Sequence, residues 1–300
     1  MKRLVLVALP GDEGERLDRF IAARGGISRM AARRSIDEGG VFLDGRRCKV
    51  AGKPIRAGYT VHVNIEEGGR LPGAVVPLGR ERLLFADEHL IAIDKPSGVP
   101  AQATLTSDRG TLPELAAELL GGPVSLVHRL DRETSGITVL ARTPEATYAL
   151  AEAFRAGLPE KTYLALCLRP PSPPQGRVEL AIGRDPRRKG LRLVSPGGDA
   201  AATRYRTLVI GHAALVEARP ETGRTHQVRV HLAHLGAPLL GDPKYGGPRM
   251  VGSVPVLRVM LHAARLQLPH PVTGATLSFE APVPADFSEL AEALECPLPG

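Results

Sequence analysis

A charged segment, His128 to Gly136, lies between two apolar stretches and contains the side chains best suited to chemistry. Its sequence, HRLDRETSG, places Asp131 between Arg129 and Arg132. Two neighbouring guanidinium groups favour the ionised carboxylate, and Gly136 allows close approach of backbone or ligand. An ionised and positioned carboxylate can act as a nucleophile. On these residues alone, a catalytic carboxylate and a surface loop with non-catalytic ion pairs are equally good interpretations.

The same nine residues resemble the signature of the RluA-type pseudouridine synthases, in which the aspartate of HRLD is the catalytic residue. The resemblance implies that Asp131 has this role and that Arg129 fills the space left by a flipped nucleotide. Further segments match the family in its order, so that the resemblance covers nearly the whole chain. They are Ile93 to Gly98, Lys161 to Leu166, Thr222 to His231, Gly241 to Gly246, and Leu261 to Ala263.

The resemblance also implies how the side chains work. Asp131 attacks the glycosidic carbon or assists departure of the base, and a bond to the sugar and a bond to the base are both open. Tyr163 corresponds to the tyrosine that stacks on the uracil and can accept the C5 proton, and Arg224 to the arginine that pairs with the aspartate. Further substrate-binding residues are expected among the same motifs: His128, Arg129, Thr134, Lys161 and His226.

The expected partner is a structured RNA. Large-subunit ribosomal RNA is the expected substrate, because the N-terminal segment is similar to the alpha-L RNA-binding domain that relatives acting there typically carry ahead of the catalytic domain, and transfer RNA is the alternative. The chain departs from many relatives after Ser97-Gly98, where it reads Val99-Pro100-Ala101-Gln102 instead of a more hydrophobic stretch that ends in histidine. This departure bears on the choice of substrate more than on the chemistry.

Most of the positive charge is concentrated near the N-terminus. The formal net charge is +7, and residues 15–65 contribute +6 of it, because they hold eleven Lys or Arg and five Asp or Glu. This pattern predicts a small nucleic-acid-binding module on a nearly neutral body, with an ordinary solvated surface as the alternative. Guanidinium groups suit phosphate oxygens, and the predicted contacts to the RNA backbone are Arg29, Arg33, Arg34, Arg46, Arg47 and Lys49.

Local patterns predict the secondary structure of this module. Glu15 to Arg24 has helical spacing, Ser28 caps a second helix that runs towards Glu38, Asp44-Gly45 indicates a hairpin turn, and Thr60 to Ile65 alternates as a strand. The segment is similar to the alpha-L RNA-binding domain through three short motifs. They are Arg16-Leu17-Asp18, Ser28-Arg29 and Val41-Phe42-Leu43-Asp44-Gly45.

The rest of the chain predicts an α+β catalytic domain built on a mixed sheet, preceded by a small ααβ-type alpha-L domain. The predicted domains are 1–65, a Gly- and Pro-rich linker at 66–80, and 81–300. Helical patterns occur at Leu112 to Leu120, Pro144 to Ala156 and Val230 to Leu235. Short apolar segments are spaced as strands, at Leu83 to Phe85, Leu90 to Ile93, Ile137 to Ala141, Tyr163 to Cys167, Tyr205 to Val209 and Val228 to Val230.

No cofactor or metal is expected. Three cysteines lie far apart, the spacing of His226, His231 and His234 matches no common zinc motif, and no phosphate-binding loop is present. We take these histidines as structural or RNA-contacting. No apolar stretch approaches the length of a membrane span, and the apolar start is too short for a signal peptide. A cytoplasmic monomer is therefore expected.

Two other classes of function compete with the isomerase. A catalytically silent RNA-binding or ribosome-assembly factor explains residues 15–65, but it does not explain the separate motifs around Asp131, Tyr163 and Arg224. A glycosidase would use Asp131 as nucleophile and Glu133 or Glu221 as acid. An N-glycosidic isomerase needs only one essential carboxylate, which agrees with the single aspartate of the motif.

Overall fold

The chain folds into two compact units, and the computed structural model describes residues 2–65, 77–105, 107–188 and 190–299. The small unit comprises Met1–Pro77 together with Gln102–Leu115, and the large unit comprises Leu78–Ala101 and Ala116–Gly300. The sequence analysis does not anticipate that Gln102–Leu115 belongs to the small unit. Most of the predicted linker, residues 66–76, lies outside the described residues, so the boundaries at 65 and 80 stay predictions.

The small unit has two helices and a four-stranded antiparallel sheet of order β1-β4-β2-β3. Ser28 caps the second helix as predicted, because its hydroxyl accepts the Ala31 N–H at 3.1 Å. Asp44 and Gly45 both have positive φ, of 46° and 80°, which is the conformation that a tight hairpin requires. The elements are β1 (Lys2–Val7), α1 (Leu17–Gly25), α2 (Arg29–Asp37), β2 (Val41–Leu43), β3 (Arg46–Arg47) and β4 (Thr60–Ile65).

The large unit contains a ten-stranded sheet of order β10-β13-β14-β9-β17-β8-β6-β5, with β18 paired to β17 and β7 to β8. Its elements begin with β5 (Leu83–Ala86), β6 (Leu90–Lys95), α3 (Leu112–Leu120, which begins in the small unit), β7 (Ser125–Leu126), β8 (Ser135–Ala141), α4 (Pro144–Ala156) and β9 (Glu160–Cys167). They continue with β10 (Gln175–Glu179), β11 (Ile182–Arg184), β12 (Arg192–Val194), β13 (Ala202–Ile210), β14 (Ala214–Pro220) and α5 (Gln227–His234). The last are β15 (Met250–Val251), β16 (Val254–Pro255), β17 (Leu261–Pro269), β18 (Thr276–Glu280) and α6 (Ala285–Ala293).

The predicted α+β class with a mixed sheet is confirmed. Strands β8 and β17 are parallel, whereas the other strand pairs within the described ranges are antiparallel. Alternate residues of β9 face opposite sides of the sheet. Ala165 and Cys167 pack in the core beneath α5, while Leu166 packs in a second core that includes α6. Among the described residues, no helix is both long and apolar enough to cross a bilayer.

One predicted strand is wrong. Val228 to Val230 lies inside helix α5, which begins at Gln227 immediately after His226. The six residues from Gln227 to Leu232 are all buried, so the helix has no polar face to give the sequence a helical period. The alternation of Val228 and Val230 therefore imitates a strand.

Gly136 is required where the two parallel strands meet. It lies opposite Ala263 in the register of β8 and β17 and has φ of 109°. A Cβ atom at this position would lie 2.3 Å from the backbone oxygen of Ala263. Only glycine allows β8 and β17 to approach this closely where β8 follows the loop that carries Asp131.

We predict that Gly136→Ala lowers the free energy of unfolding by about 4 kcal/mol or more, because the backbone of a central strand must move. Gly121→Ala is the matched control, since Gly121 has φ of 69° but open space around it. The control should cost about 1–2 kcal/mol, from the left-handed backbone alone. Urea unfolding followed by circular dichroism measures both, and equal losses would contradict the backbone clash.

Candidate active site

The loop that carries Asp131 is tied to the turn that follows β6. Gly98 donates its backbone N–H to the Arg132 carbonyl at 2.8 Å, and the Ser97 hydroxyl donates to the Glu133 carbonyl at 2.8 Å. In return, Arg132 Nε donates to the Gly98 carbonyl at 3.0 Å. The loop itself is tightened because the Thr134 N–H donates to the Asp131 carbonyl at 3.1 Å. These contacts fix the backbone on the C-terminal side of Asp131.

Lys95 strengthens the connection between the loop that carries Asp131 and the turn that follows β6. Its side chain is fully buried, and Nζ donates to the carbonyls of Pro96 and Val99 at 3.0 Å and of Arg132 at 3.3 Å. Burial lowers the pKa of Lys95 to about 7, although the nearby charge of Asp131 acts in the opposite direction. Three carbonyl acceptors match the three protons of an ammonium group, so the geometry favours the charged form. Lys95 thus joins the turn after β6 to the loop that carries Asp131.

Asp131 is held by Arg229, which projects from α5. Arg229 Nη1 donates to Asp131 Oδ2 at 2.8 Å, while Nε and Nη2 donate to the two carboxylate oxygens of Asp242 at 2.7 and 2.8 Å. Arg229 and Asp242 are both buried. Burial opposes the charge of the guanidinium group, but hydrogen bonds and charge from the two carboxylates raise the pKa of Arg229. Arg229 therefore stays charged and supplies a fixed donor to Asp131.

The contact predicted between Arg224 and Asp131 is wrong, because Arg229 makes it. Arg224 is exposed, and its Nε donates to the Ala200 carbonyl at 2.9 Å. The two arginines lie five positions apart in one motif, with the left-handed residue His226 between them. Helix α5 begins after His226 and directs Arg229, rather than Arg224, to the carboxylate.

Tyr163 lies on β9, opposite Ala218 of β14 and Ala263 of β17. Its ring is half-buried and packs against the core beneath α5. Within the described residues, its hydroxyl makes no hydrogen bond. Burial raises the pKa of Tyr163, and the nearby negative charge of Asp131 raises it further. The side chain is therefore a neutral phenol close to the carboxylate, which agrees with a stacking surface and gives no support to a ready proton acceptor.

His226 is the second group that faces Asp131. Its Nε2 lies 3.7 Å from Asp131 Oδ2, and its backbone has φ of 61°. Burial is the largest cause that lowers the pKa of His226 to about 4, and the charge of Arg229 acts in the same direction. The imidazole is therefore neutral at physiological pH.

The other predicted substrate-binding residues have different surroundings. Arg129 is exposed and donates to the Thr225 hydroxyl at 3.1 Å, and Lys161 donates to the Thr222 carbonyl at 3.3 Å. Burial lowers the pKa of Lys161. The Thr134 side chain is buried in the loop.

His128 has one ring nitrogen and one face of its ring engaged within the fold. Its Nε2 accepts the Val139 N–H at 2.8 Å, and its ring stacks on Phe154 at 4.3 Å. Burial lowers the pKa of His128 to about 3, so the ring is neutral. These contacts do not support the prediction that His128 binds substrate.

Glu221, the acid that a glycosidase would need, is engaged elsewhere. Arg177 and Arg204 both donate to its carboxylate, at distances of 2.6 to 3.2 Å. These hydrogen bonds, with Arg177 the larger cause, hold the pKa of Glu221 below its usual range. An ionised carboxylate cannot act as a general acid, so Glu221 does not support the glycosidase hypothesis.

The six predicted RNA contacts fall into three groups. Arg33 and Arg46 are exposed, and neither side chain has a partner within the described residues. Arg29 and Arg34 are about half exposed and pair with Asp18 and Glu38, respectively. The remaining two, Arg47 and Lys49, are occupied by the segment that follows Ala101: Arg47 donates to the Thr104 carbonyl, and Lys49 lies 2.8 Å from Asp108.

A metal site is not apparent in the described ranges, where no group of three His, Cys, Asp or Glu side chains is placed to hold an ion. His231 has a structural environment, since its two ring nitrogens hydrogen-bond to the Thr203 hydroxyl and the Leu180 carbonyl. The sequence analysis missed Arg229, Asp242 and Lys95 as members of the site. The sequence signal that could have identified these three residues is that each lies inside a segment that resembles the family.

Comparisons with known proteins identify both units. Residues 89–234 match the RNA pseudouridylate synthase family, and residues 15–61 match the S4 domain. An uncharacterised RNA pseudouridine synthase of Chloroflexus aurantiacus is 39% identical, over 97% of this chain and 93% of the relative. The ribosomal large subunit pseudouridine synthase D of Xanthomonas campestris is 37% identical, over 89% of this chain and 85% of the relative.

Solved structures show the same fold. The human RNA pseudouridylate synthase domain containing 4 matches with a TM-score of 0.61 and 30% identity, over 73% of this chain and 95% of the human one. The human RNA pseudouridylate synthase domain containing 1 matches with a TM-score of 0.59 and 25% identity, over 77% of this chain and all of the human one.

Proposed function

The chain belongs to the RNA pseudouridine synthase family, an RNA-binding class of isomerases, and we propose that Asp131 is the carboxylate that opens the glycosidic bond of its target uridine. The observation that carries this proposal is the ion pair between Asp131 and Arg229, with Arg229 anchored by the buried carboxylate of Asp242. The arrangement pairs the carboxylate with a fixed positive charge and leaves its side chain 23% exposed, as a positioned nucleophile requires.

The proposed reaction separates the uracil from C1′ and rejoins it through C5. A stacked or paired uridine must first flip out of the RNA, because its C1′ and C6 are otherwise out of reach. Asp131 then attacks or assists at the glycosidic carbon, and the released uracil rotates within the site. C5 bonds to C1′, any bond between Asp131 and C1′ breaks, and the loss of the C5 proton is balanced by the gain of a proton at N1, the atom that the glycosidic bond has left. The reaction is an isomerisation, so no atom is gained overall. Arg229 stabilises the carboxylate whenever it returns to its free form.

Tyr163 is proposed to hold the uracil while it is detached. Its half-buried ring lies near Asp131 and offers an apolar face, and stacking tolerates rotation of the base better than directed hydrogen bonds do. Arg129 is proposed to enter the space that the flipped nucleotide leaves, since it is exposed and lies two residues before Asp131. Lys161 and His226 are proposed to border the base.

We propose large-subunit ribosomal RNA as the substrate. The Xanthomonas campestris relative named ribosomal large subunit pseudouridine synthase D shares 37% identity over 89% of this chain and 85% of its own, and the S4 domain match precedes the synthase match here. Transfer RNA is the alternative. A cytoplasmic location and a monomeric state stay predictions.

We predict that Asp131→Asn removes one or more pseudouridines from large-subunit ribosomal RNA while the variant keeps its fold and RNA affinity. The amide preserves the shape of the carboxylate but cannot act as the nucleophile. The measurement is a map of pseudouridines in ribosomal and transfer RNA, from cells that lack the protein and carry either the wild type or the variant. Asp199→Asn, at an exposed position, is the control.

The catalytic role of Asp131 and the choice of substrate would be contradicted by different results. Turnover by Asp131→Asn within tenfold of the wild type would overturn the catalytic role of Asp131. Protein-dependent sites confined to transfer RNA would overturn the ribosomal substrate and leave the catalytic role intact.

We propose that one face of α2 grips the RNA backbone. Arg29, Arg33 and Arg34 border a shallow hollow together with Met30, which is 81% exposed. Their guanidinium groups point to solvent at least in part, so phosphate oxygens can replace water at each of them. Arg46 is proposed to add a contact from the hairpin. Arg47 and Lys49 are weaker candidates, because they already have partners within the small unit.

We predict that replacing Arg29, Arg33 and Arg34 by Gln flattens the dependence of log affinity on log salt by roughly 0.7 to 0.9 for each phosphate that the variant no longer neutralises. Substitution is preferred to truncation, because residues 102–115 pack with the N-terminal segment. The control replaces three exposed arginines of the large unit, Arg155, Arg169 and Arg265, and removes the same charge. Equal slopes for the two triple variants, measured by titration at several salt concentrations, would refute the α2 contact surface.

A further inference from the structure

We propose that Tyr245 is a positioning residue for the isomerisation, because its hydroxyl fixes His226 as the neutral tautomer whose Nε2–H faces Asp131. Tyr245 lies in the short helical turn after Asp242, on a different segment from His226. The inference rests on the proposed function, since it concerns the orientation of the carboxylate that the proposed function makes catalytic.

The hydrogen bonds of Tyr245 determine which ring nitrogen of His226 carries the proton. The backbone N–H of Arg192 donates to the Tyr245 oxygen at 3.0 Å. The same oxygen lies 2.7 Å from His226 Nδ1, and the rings meet edge to face with centroids 5.6 Å apart. His226 Nδ1 is the only acceptor within the described residues for the phenolic hydrogen. Tyr245 therefore donates to Nδ1, and the proton of the neutral imidazole is on Nε2.

The charges around His226 keep it neutral. Arg229 and Lys244 face the ring and oppose a further positive charge, whereas Asp131 and Asp242 favour one. Burial is the largest influence, and the pKa of His226 is lowered to about 4. Donation of the Tyr245 hydroxyl to Nδ1 also opposes protonation there, because a protonated Nδ1 cannot accept that hydrogen bond.

This arrangement distinguishes the two oxygens of Asp131. Oδ2 accepts from Arg229 Nη1 at 2.8 Å and lies 3.7 Å from His226 Nε2. Oδ1 receives no hydrogen bond within the described residues. Arg229 donates to Oδ2 and the Nε2–H edge of His226 faces the same oxygen from beyond hydrogen-bond distance, which leaves Oδ1 as the oxygen that attacks. The left-handed backbone of His226 is unusual for a residue with a side chain, and such strained conformations occur at functional sites.

The first test observes the tautomer in the free protein, without RNA. Long-range proton–nitrogen spectra of protein with ¹⁵N-labelled histidine report which nitrogen is protonated, and His226→Gln identifies the signals of His226. We expect a neutral ring with Nε2 protonated at pH 7, and a mixture of tautomers in Tyr245→Phe. A proton on Nδ1 in the wild type, a charged ring at pH 7, or an unchanged tautomer in Tyr245→Phe would each overturn the inference.

The second test measures the chemical step. At saturating RNA and pH 7, we expect Tyr245→Phe to slow single-turnover isomerisation roughly 3- to 10-fold, the effect of one neutral hydrogen bond, with unchanged RNA affinity. The variant should slow further, relative to the wild type, as the pH falls from 7 to 5. Without the hydroxyl donor the pKa of His226 rises from about 4, and a cationic ring beside Oδ2 weakens the nucleophile.

Tyr205→Phe is the matched control, since Tyr205 is a buried tyrosine on β13 of the same unit and its hydroxyl makes no hydrogen bond within the described ranges. It should leave rate and pH profile unchanged. Identical rates and pH profiles for Tyr245→Phe and the wild type would overturn the positioning role. The spectra involve no RNA, so they test the tautomer even if Asp131→Asn proves active and the proposed function fails.

Discussion

The candidate active site depends on one buried arginine that is shared by two carboxylates. Asp242 occupies one side of Arg229 with two hydrogen bonds, and this leaves Nη1 for Asp131. Because a guanidinium group is planar and rigid, its hold on the buried Asp242 also sets the direction of the third bond. Asp131 is more exposed than either partner, so it can be charged, positioned and open to substrate at once. A carboxylate with only solvent around it would be charged but not positioned.

Other residues of the large unit position the loop that carries Asp131. The parallel pair of β8 and β17 needs Gly136 so that the strand can follow the Asp131 loop without displacing Ala263. Lys95 connects the loop to the turn after β6 through three carbonyls, although this buries an ammonium group that has no carboxylate as a direct partner among the described residues. The sheet also presents Tyr163 beside the carboxylate. The S4 domain match lies within the other compact unit, which fits a division between RNA binding and chemistry.

The sequence was most informative where short-range chemistry decides the structure. Ser28 as a cap, the Asp44-Gly45 turn and the strand Thr60–Ile65 all depend on neighbouring residues. The sequence was least informative for α5, because six of its eight residues are buried and leave no clear amphipathic period. The resemblance assigned the contact with Asp131 to Arg224, and only the folded helix shows that Arg229 makes it. The partners of Arg47 and Lys49 lie some sixty residues away in the chain, and no local pattern indicates them. Asp242 was inside a recognised motif, but only the fold brings it to Arg229.

The most direct test of the account compares single-turnover isomerisation by Arg229→Lys and Arg224→Lys at saturating RNA. An ammonium group cannot bind Asp242 through two bonds and also reach Asp131, so Arg229→Lys should lose roughly 100-fold or more in rate. Arg224→Lys should stay within about threefold of the wild type, since the only hydrogen bond of the Arg224 side chain within the described residues goes to the Ala200 carbonyl. Thermal unfolding of both variants would establish that each is folded. A folded Arg229→Lys variant with wild-type rate, alongside an impaired Arg224→Lys variant, would contradict the account.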